Sequence, residues 1–227
     1  IDADLKDVTD SGFRHLSRMR ELRELRLTDG SITDAGMAHL SDLRDLRVLE
    51  LGGTAVTDAG LAHVSGLSNL RALRLSHTPV TDAGMSHLAG LRRLRLLELS
   101  GTPITDIGLS RLSRLTALQW LDLSRTSITD AGLSHLSRMP WLHRLELTGT
   151  AISDAGMASL LACPELYELG LRGTEITGEA LRRLSEHRGL RRVYTPRDTI
   201  TYEEARDFML ENLGRVVIGP PQRPEER

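Results

Sequence analysis

The sequence predicts an α/β solenoid with a parallel β-sheet on its concave side and helices on its convex side. Three observations lead to this prediction. A Thr-Asp-Ala-Gly phrase returns every 24 residues, and a Leu-x-x-Leu-x-Leu phrase returns at the same interval. Leucine supplies 42 of the 227 residues whereas aromatic residues make up only 3%, so the core is aliphatic. A fixed period of this kind is typical of units that bury their apolar faces against their neighbours.

The Thr-Asp-Ala-Gly phrase marks the start of a helix in each repeat. It begins at Thr9, Thr33, Thr57, Thr81, Thr105, Thr129 and Ser153, with a degenerate copy at Thr177. Threonine is a favourable N-cap, and an aspartate in the first turn interacts well with the positive end of a helix. After Thr57, the spacing of Leu61, Val64 and Leu67 places them on one helical face that we expect to be buried. Glycine in a helix costs up to about 1 kcal/mol relative to alanine, so its return in this phrase indicates close approach to neighbouring coil.

The leucine phrase marks a short strand. Its middle position is held by Leu25, Leu49, Leu73, Leu97, Leu121, Leu145 and Leu169, with Val193 in a decayed copy. The alternation in Leu49-Glu50-Leu51 has the period of a strand, and Gly52–Thr54 supplies a turn. We therefore expect the leucines to point into the core and the intervening residues to point out of the sheet.

Together these phrases resemble the leucine-rich repeat family over about residues 1–218. The repeat length and the Thr-x-Ile-Thr-Asp-x-Gly-Leu tail are similar to the bacterial repeats related to those of F-box substrate receptors. The resemblance implies a right-handed horseshoe. One departure is that threonine stands where the family often has asparagine or cysteine, at Thr54, Thr78, Thr102, Thr126, Thr150 and Thr174. A threonine hydroxyl can still bond the backbone of the turn.

The repeats predict one solenoid domain over residues 1–218, with about eight repeats. Residues 201–218 are predicted to form a closing repeat. The remaining residues, 219–227, are rich in proline and charge, which is typical of a disordered tail.

The two ends of the solenoid differ in sequence. Ile1 falls on an inward strand position, so we expect the chain to begin inside a repeat. Near the other end Thr201 and Glu204 form a capping box, which predicts a helix over about 202–213. Residues 216–218 then fall in register with a further strand.

Composition restricts the possible functions. The net charge of −2 gives no general attraction to nucleic acid or to an anionic membrane. No apolar run approaches the roughly 20 residues of a membrane span, and no signal segment opens the chain. The single cysteine, Cys163, cannot build a disulfide framework or a cysteine zinc site. It fits a reducing compartment, so we predict a cytoplasmic protein.

The sequence offers no metal, cofactor or catalytic site. Five histidines share one repeat position: His15, His39, His63, His87 and His135. Neighbouring helix axes are about 8–10 Å apart, whereas zinc needs each nitrogen at about 2 Å. The same position becomes Arg111, Ser159 and Arg183, which argues against ligand duty. Serine, histidine and aspartate are abundant because the repeat supplies them, and Cys163 has no histidine or asparagine unique to it. We therefore predict that the protein is not an enzyme and binds no cofactor.

The outward residues of the sheet are the candidate binding surface. The first column, just before the middle leucine, reads Glu24, Val48, Ala72, Leu96, Trp120, Arg144, Glu168 and Arg192. Because neighbouring strands lie about 4.8 Å apart, the four residues from Val48 to Trp120 form a contiguous apolar stripe that we expect to face solvent. Exposed apolar patches of this kind often mark partner sites. The alternative is that Trp120 folds down over its neighbours.

The second column, just after the middle leucine, reads Arg26, Glu50, Arg74, Glu98, Asp122, Glu146, Gly170 and Tyr194. Like charges directly opposed in a sheet are unfavourable, so the consecutive carboxylates of Glu98, Asp122 and Glu146 indicate a partner with a basic segment. The alternative is a solvated acidic face. A third column, just after the first leucine, reads Arg23, Arg47, Arg71, Arg95, Gln119, His143, Tyr167 and Arg191, and salt bridges between the second and third columns could neutralise both.

These observations favour a non-enzymatic scaffold that binds a protein or peptide on its concave face, centred on Trp120. The alternative is a substrate-recognition module of a larger ubiquitin-ligase-like or kinase-containing protein, which the resemblance to F-box receptors motivates. Nucleic-acid binding is disfavoured because acidic and basic columns alternate across a sheet of slightly negative net charge.

Overall fold

The computed structural model describes residues 2–4, 9–27, 30–196, 198–212 and 217–218. Within them, ten parallel strands form one sheet in which each strand pairs with the next along the chain. The strands are β1 Asp2–Asp4, β2 Glu24–Arg26, β3 Val48–Glu50, β4 Ala72–Arg74, β5 Leu96–Glu98, β6 Trp120–Asp122, β7 Arg144–Glu146, β8 Glu168–Gly170, β9 Arg192–Tyr194 and β10 Val217–Ile218.

A short helix follows each of the first nine strands. The helices are α1 Asp10–Leu16, α2 Asp34–Met37, α3 Asp58–Leu61, α4 Asp82–Leu88, α5 Asp106–Arg111, α6 Asp130–Leu133, α7 Met157–Leu161, α8 Gly178–Leu184 and α9 Tyr202–Glu211. Single turns of 3₁₀-helix extend α2, α3, α5 and α6 and precede α7. The chain winds as a right-handed α/β solenoid with the sheet on the concave side and the helices on the convex side, as predicted.

The core is a stack of identical apolar positions. Leu49, Leu73 and Leu97 are direct partners across β3, β4 and β5, and each is fully buried. Leu61, Val64 and Leu67 are buried as well, which confirms the inward helical face. Each repeat shields its neighbour's leucines from water, so one continuous aliphatic core runs along the solenoid.

Threonine, at the position where similar repeats often have asparagine, closes the turn after each of the six strands from β3 to β8. Thr78 is 3% exposed, and its Oγ1 donates a hydrogen bond of 2.7 Å to the carbonyl oxygen of Leu75. The same bond forms at Thr54, Thr102, Thr126, Thr150 and Thr174. The carbonyl of Leu75 also accepts a hydrogen bond of 3.2 Å from Thr78 N, so the buried hydroxyl adds a second bond to the turn and satisfies its own donor.

A carboxylate ladder connects the helix starts of successive repeats. Asp58 Oδ1 accepts a hydrogen bond of 2.8 Å from Thr81 N, and its Oδ2 accepts one of 2.6 Å from Thr81 Oγ1. Thr81 Oγ1 in turn accepts from Ala83 N at 3.2 Å, which is the N-cap bond that the sequence predicts. The same pair of bonds joins Asp10–Thr33, Asp34–Thr57, Asp82–Thr105, Asp106–Thr129, Asp130–Ser153 and Asp154–Thr177.

The glycine of the repeat makes room for this ladder. A Cβ atom built on Gly84 would collide with Oδ1 of Asp58, and the equivalent glycines meet the equivalent carboxylates. The close approach that the sequence indicates is therefore real, although the neighbour is a side-chain carboxylate rather than coil backbone. At the first rung, burial acts to raise the pKa of Asp10, but the hydrogen bonds from Thr33 and Gly36, together with the charge of His39, hold that pKa below its ordinary value.

At α9 a different residue supplies the carboxylate of the ladder. Gly178 stands where earlier repeats have aspartate, so it cannot bond the next threonine. Instead Glu204, within α9 itself, accepts from both N and Oγ1 of Thr201 at 2.9 Å and lies against Gly178. This arrangement confirms the predicted capping box. The helix ends at Glu211, and the predicted final residue, Leu213, lies outside the described residues.

The predicted final strand is present as β10. Val217 and Ile218 pair with Arg192 and Val193 at the edge of the sheet. Ile1, Val216 and the predicted tail at 219–227 lie outside the described residues.

Candidate binding surface

The sheet presents its first and second columns in register. The strand pairing aligns Val48, Ala72, Leu96, Trp120 and Arg144 in one row. It aligns Glu50, Arg74, Glu98, Asp122 and Glu146 in the adjacent row. All ten predicted site residues therefore lie on one face of the solenoid.

The apolar stripe is half-buried rather than freely exposed. Val48, Ala72, Leu96 and Trp120 each retain partial contact with solvent. Each side chain of the stripe therefore faces solvent with only part of its surface. Neighbours only about 4.8 Å away cover part of every side chain in the row.

Trp120 packs beneath the next side chain of its own column. The guanidinium carbon of Arg144 lies 4.4 Å from the centroid of the Trp120 ring, in a cation–π arrangement. Within the described residues, Trp120 Nε1 and Arg144 Nε are both buried and have no hydrogen-bond partner. Buried donors without acceptors are uncommon in proteins, so this pair is an energetically unusual point on the sheet face.

Part of the second column neutralises itself. Arg26 Nε lies 3.1 Å from Glu50 Oε1, Arg74 contacts the same carboxylate, and Arg74 Nε lies 3.0 Å from Glu98 Oε1. Charges of opposite sign thus alternate along β2 to β5. Of the three consecutive carboxylates in this column, Glu98 is thus paired with the cation of Arg74.

The predicted pairing of the second column with the third is wrong. The ion pairs across the sheet involve arginines of the first and second columns, such as Arg74 and Arg144. Arg47, Arg71 and Arg95 make no salt bridge with any described residue. The reason is geometric: residues just before and just after the middle leucine point the same way, whereas the third column lies outside the strands.

Asp122 and Glu146 form the acidic centre of the face. Asp122 Oδ1 accepts a hydrogen bond of 2.8 Å from Ser124 N, and no salt bridge to Asp122 occurs among the described residues. Glu146 lies over Gly170, where an added Cβ would occupy the position of its carboxylate. Burial raises the pKa of Glu146, Arg144 acts to lower it, and Asp122 and Glu168 raise it further.

Glu168 and Arg192 of the first column, which were not among the predicted site residues, extend this charged centre. Glu168 is 7% exposed and lies 3.4 Å from Arg144 and 3.4 Å from Arg192. Arg144 is thereby shared between Glu146 and Glu168 while it covers Trp120. The opposite charges of neighbouring residues in one column are a signal from which this network could have been predicted.

The histidine, cysteine and carboxylate side chains of the described residues are not grouped in a way that suits a metal ion. No group of three or more histidine, cysteine, aspartate or glutamate side chains suited to a metal ion occurs in the described part of the chain. Among the helices that the structure describes, none has both the length and the apolar character to span a membrane.

Cys163 is expected to be unreactive in the folded protein. It is 1% exposed, and burial raises the pKa of its thiol from 9.0 to about 11. The thiolate fraction at pH 8 is then only roughly one part in a thousand, and the thiolate is the reactive form. A disulfide exchange reagent should label no thiol in native protein and one per chain in guanidinium chloride. Rapid labelling of native protein would show that Cys163 is accessible.

The fold and this open face define the class of protein: a repeat solenoid whose regular sheet offers an extended surface rather than an enclosed cleft. Leucine rich repeat models match residues 20–80, 68–128 and 138–161. The chain belongs to the leucine-rich repeat family. Proteins of this family are generally non-enzymatic interaction scaffolds.

Solved structures show the same fold. Internalin C2 of Listeria monocytogenes is 31% identical, with a TM-score of 0.68 over 86% of this chain and 77% of that one. A leucine-rich repeat protein of Leptospira interrogans is 19% identical, with a TM-score of 0.69 over 91% of this chain and 51% of that one. No curated protein sequence matches the chain. The matches support the repeat family and do not bear on a relation to F-box receptors.

Proposed function

We propose that this protein is a non-enzymatic scaffold that binds an extended segment of a partner protein on its concave face. The observation that carries the proposal is the half-buried apolar row from Val48 to Trp120, which borders the carboxylates of Asp122 and Glu146. Interface hot spots are enriched in tryptophan and arginine, and they lie in well-packed surroundings. The stacked pair of Trp120 and Arg144 has this character.

The charges of the face favour a basic partner segment. Arg144 is shared by Glu146 and Glu168, and Asp122 has a backbone donor but no described cation. A lysine or arginine of the partner would offset the repulsion among these carboxylates. An aliphatic side chain beside that cation would bury apolar area against Leu96 and Trp120.

The pKa of Glu146 gives the proposed interaction a pH dependence. Because burial raises that pKa, the free protein holds the proton to higher pH than an ordinary glutamate does. A cation seated at Glu146 favours the charged carboxylate and releases the proton. Affinity for a basic segment should therefore rise with pH as Glu146 deprotonates.

We also propose that the protein is cytoplasmic, because the free thiol of Cys163 fits a reducing compartment.

A peptide-display selection against the whole chain tests the proposed function. We expect the selected peptides to combine an aliphatic residue with a neighbouring lysine or arginine. Trp120→Ala should weaken their binding at least about tenfold, because truncation of a hot-spot tryptophan typically has that effect. Trp120→Ala should also cost about 1 kcal/mol of stability, since the ring is half-buried beneath Arg144.

The second tryptophan is the matched control. Trp141 is 56% exposed and lies outside the strands, so Trp141→Ala should leave binding of the same peptides unchanged. Affinity that falls with Trp141→Ala but not with Trp120→Ala would place the site off the sheet face. Binding should be compared at a temperature where circular dichroism shows every variant to be folded.

A further inference from the structure

Four arginines surround a depression beside the sheet, in the loops just before β4 and β5. The depression has a volume of about 240 Å³ and is lined by Arg71, Arg92, Arg93, Arg95 and Ala117. All four arginines are exposed. None of them lies within 4.0 Å of a carboxylate oxygen of any described residue.

A second depression on the solenoid can be compared with this one. On the same edge, two repeats earlier, a depression of about 370 Å³ is lined by Arg20, Asp42, Arg44 and Asp45. That surface balances two cations with two carboxylates. Arg93 occupies the repeat position of Asp45, so the later depression carries only positive charge.

A neutral neighbour holds Arg93 in place without cancelling its charge. Arg93 Nη1 donates a hydrogen bond of 2.5 Å to Asn69 Oδ1, and Asn69 Nδ2 donates one of 2.9 Å to the carbonyl oxygen of Arg44. The guanidinium is therefore positioned by an amide rather than by a counter-ion. Like charges grouped in this way repel each other, and an anion would remove that repulsion.

We propose that this depression, here called the arginine site, docks a short acidic segment of a partner protein. Planar guanidinium groups match carboxylates in paired hydrogen bonds, which gives arginine an advantage over lysine at such a site. The arginine site borders the apolar row of the sheet face, since Arg71 and Arg95 directly precede Ala72 and Leu96, but it would bind a segment of the opposite charge from the one proposed there. The two surfaces can therefore be tested separately.

The surroundings favour a short segment over a nucleic-acid strand. Arginines of the third column continue along this edge from Arg95 back to Arg23, but the depression two repeats before the arginine site also contains the carboxylates of Asp42 and Asp45. A longer phosphate backbone that followed this edge toward Arg20 would pass over those carboxylates, whereas a few consecutive glutamates would meet only arginines.

Fluorescence anisotropy with labelled hexaglutamate, at about 50 mM salt to limit screening, tests the proposal. We expect saturable binding to the whole chain. The double variant Arg92→Gln/Arg95→Gln should weaken it about tenfold or more, since it removes two of the four cations. The matched control Arg20→Gln/Arg44→Gln loses the same charge from the balanced depression and should change affinity less than about twofold. Both variants should melt at the wild-type temperature because the substituted side chains are exposed.

Three outcomes would overturn the proposal. Equal weakening in both double variants would assign the effect to net charge. An absence of hexaglutamate binding to the wild type would remove the site. Tighter binding of a short oligothymidylate, with the same dependence on Arg92 and Arg95, would assign the arginine site to nucleic acid instead of protein.

Discussion

Replacing Leu97 with alanine is expected to destabilise the protein by about 2–5 kcal/mol. Leu97 is fully buried at the centre of β5, between Leu73 and Leu121 of the neighbouring strands. Truncation leaves a cavity that two stacked repeats share, and a close-packed stack cannot collapse to fill it. Because each repeat is stabilised mainly by its neighbours, the loss should lower the midpoint of unfolding for the whole solenoid.

Leu96 is the control for this substitution. It is adjacent in sequence and identical in chemistry, but it points to the open face and is only half-buried. Leu96→Ala should cost no more than about 1 kcal/mol, because much of its side chain is already in contact with water. The measurement is urea denaturation followed by circular dichroism. Equal costs for the two variants would show that the assignment of inward and outward positions is wrong.

Gly108→Ala is expected to destabilise the protein by about 2–3 kcal/mol, against the usual helix preference for alanine. The added methyl group would collide with Oδ1 of Asp82. That carboxylate accepts hydrogen bonds of 2.8 Å from Thr105 N and 2.7 Å from Thr105 Oγ1. Hydrogen bonds to charged groups contribute about 1.5–3 kcal/mol, whereas the gain in helix propensity is only about 1 kcal/mol. Loss of the two bonds should therefore dominate.

A double-mutant cycle separates the collision from other effects of the methyl group. If the carboxylate is the obstacle, Asp82→Ala/Gly108→Ala should be little less stable than Asp82→Ala alone. Additive costs would mean that the methyl group disturbs something else. Gly66→Ala is the control, because a Cβ at Gly66 meets nothing within 4 Å. Its stability should stay within about 0.5 kcal/mol of the wild type.

The candidate sites differ in how far the sequence could predict them. The register of Leu96, Trp120 and Arg144 follows from a repeat length without insertions, so the sheet-face columns were predictable. The side-chain conformations in these columns were not predictable, because Arg144 can stack on Trp120 or extend into water at a similar energy. The arginine site was missed because its members come from different positions of the repeat. Arg92 and Arg93 precede the first leucine and only the fold brings them beside Arg71.

The sequence by itself determined the solenoid, its strand order and its inward leucines. The reason is that a period of 24 residues fixes every repeat in the same register, and leucine at alternate strand positions leaves only one face to bury. Only the tertiary structure decided which charged side chains contact which hydrogen-bond donors. It showed that Asp58 bonds Thr81 of the next repeat rather than only its own helix, and that Gly84 leaves space for that carboxylate. Contacts of this kind join residues of neighbouring repeats, and their energies depend on distances that a sequence period does not specify.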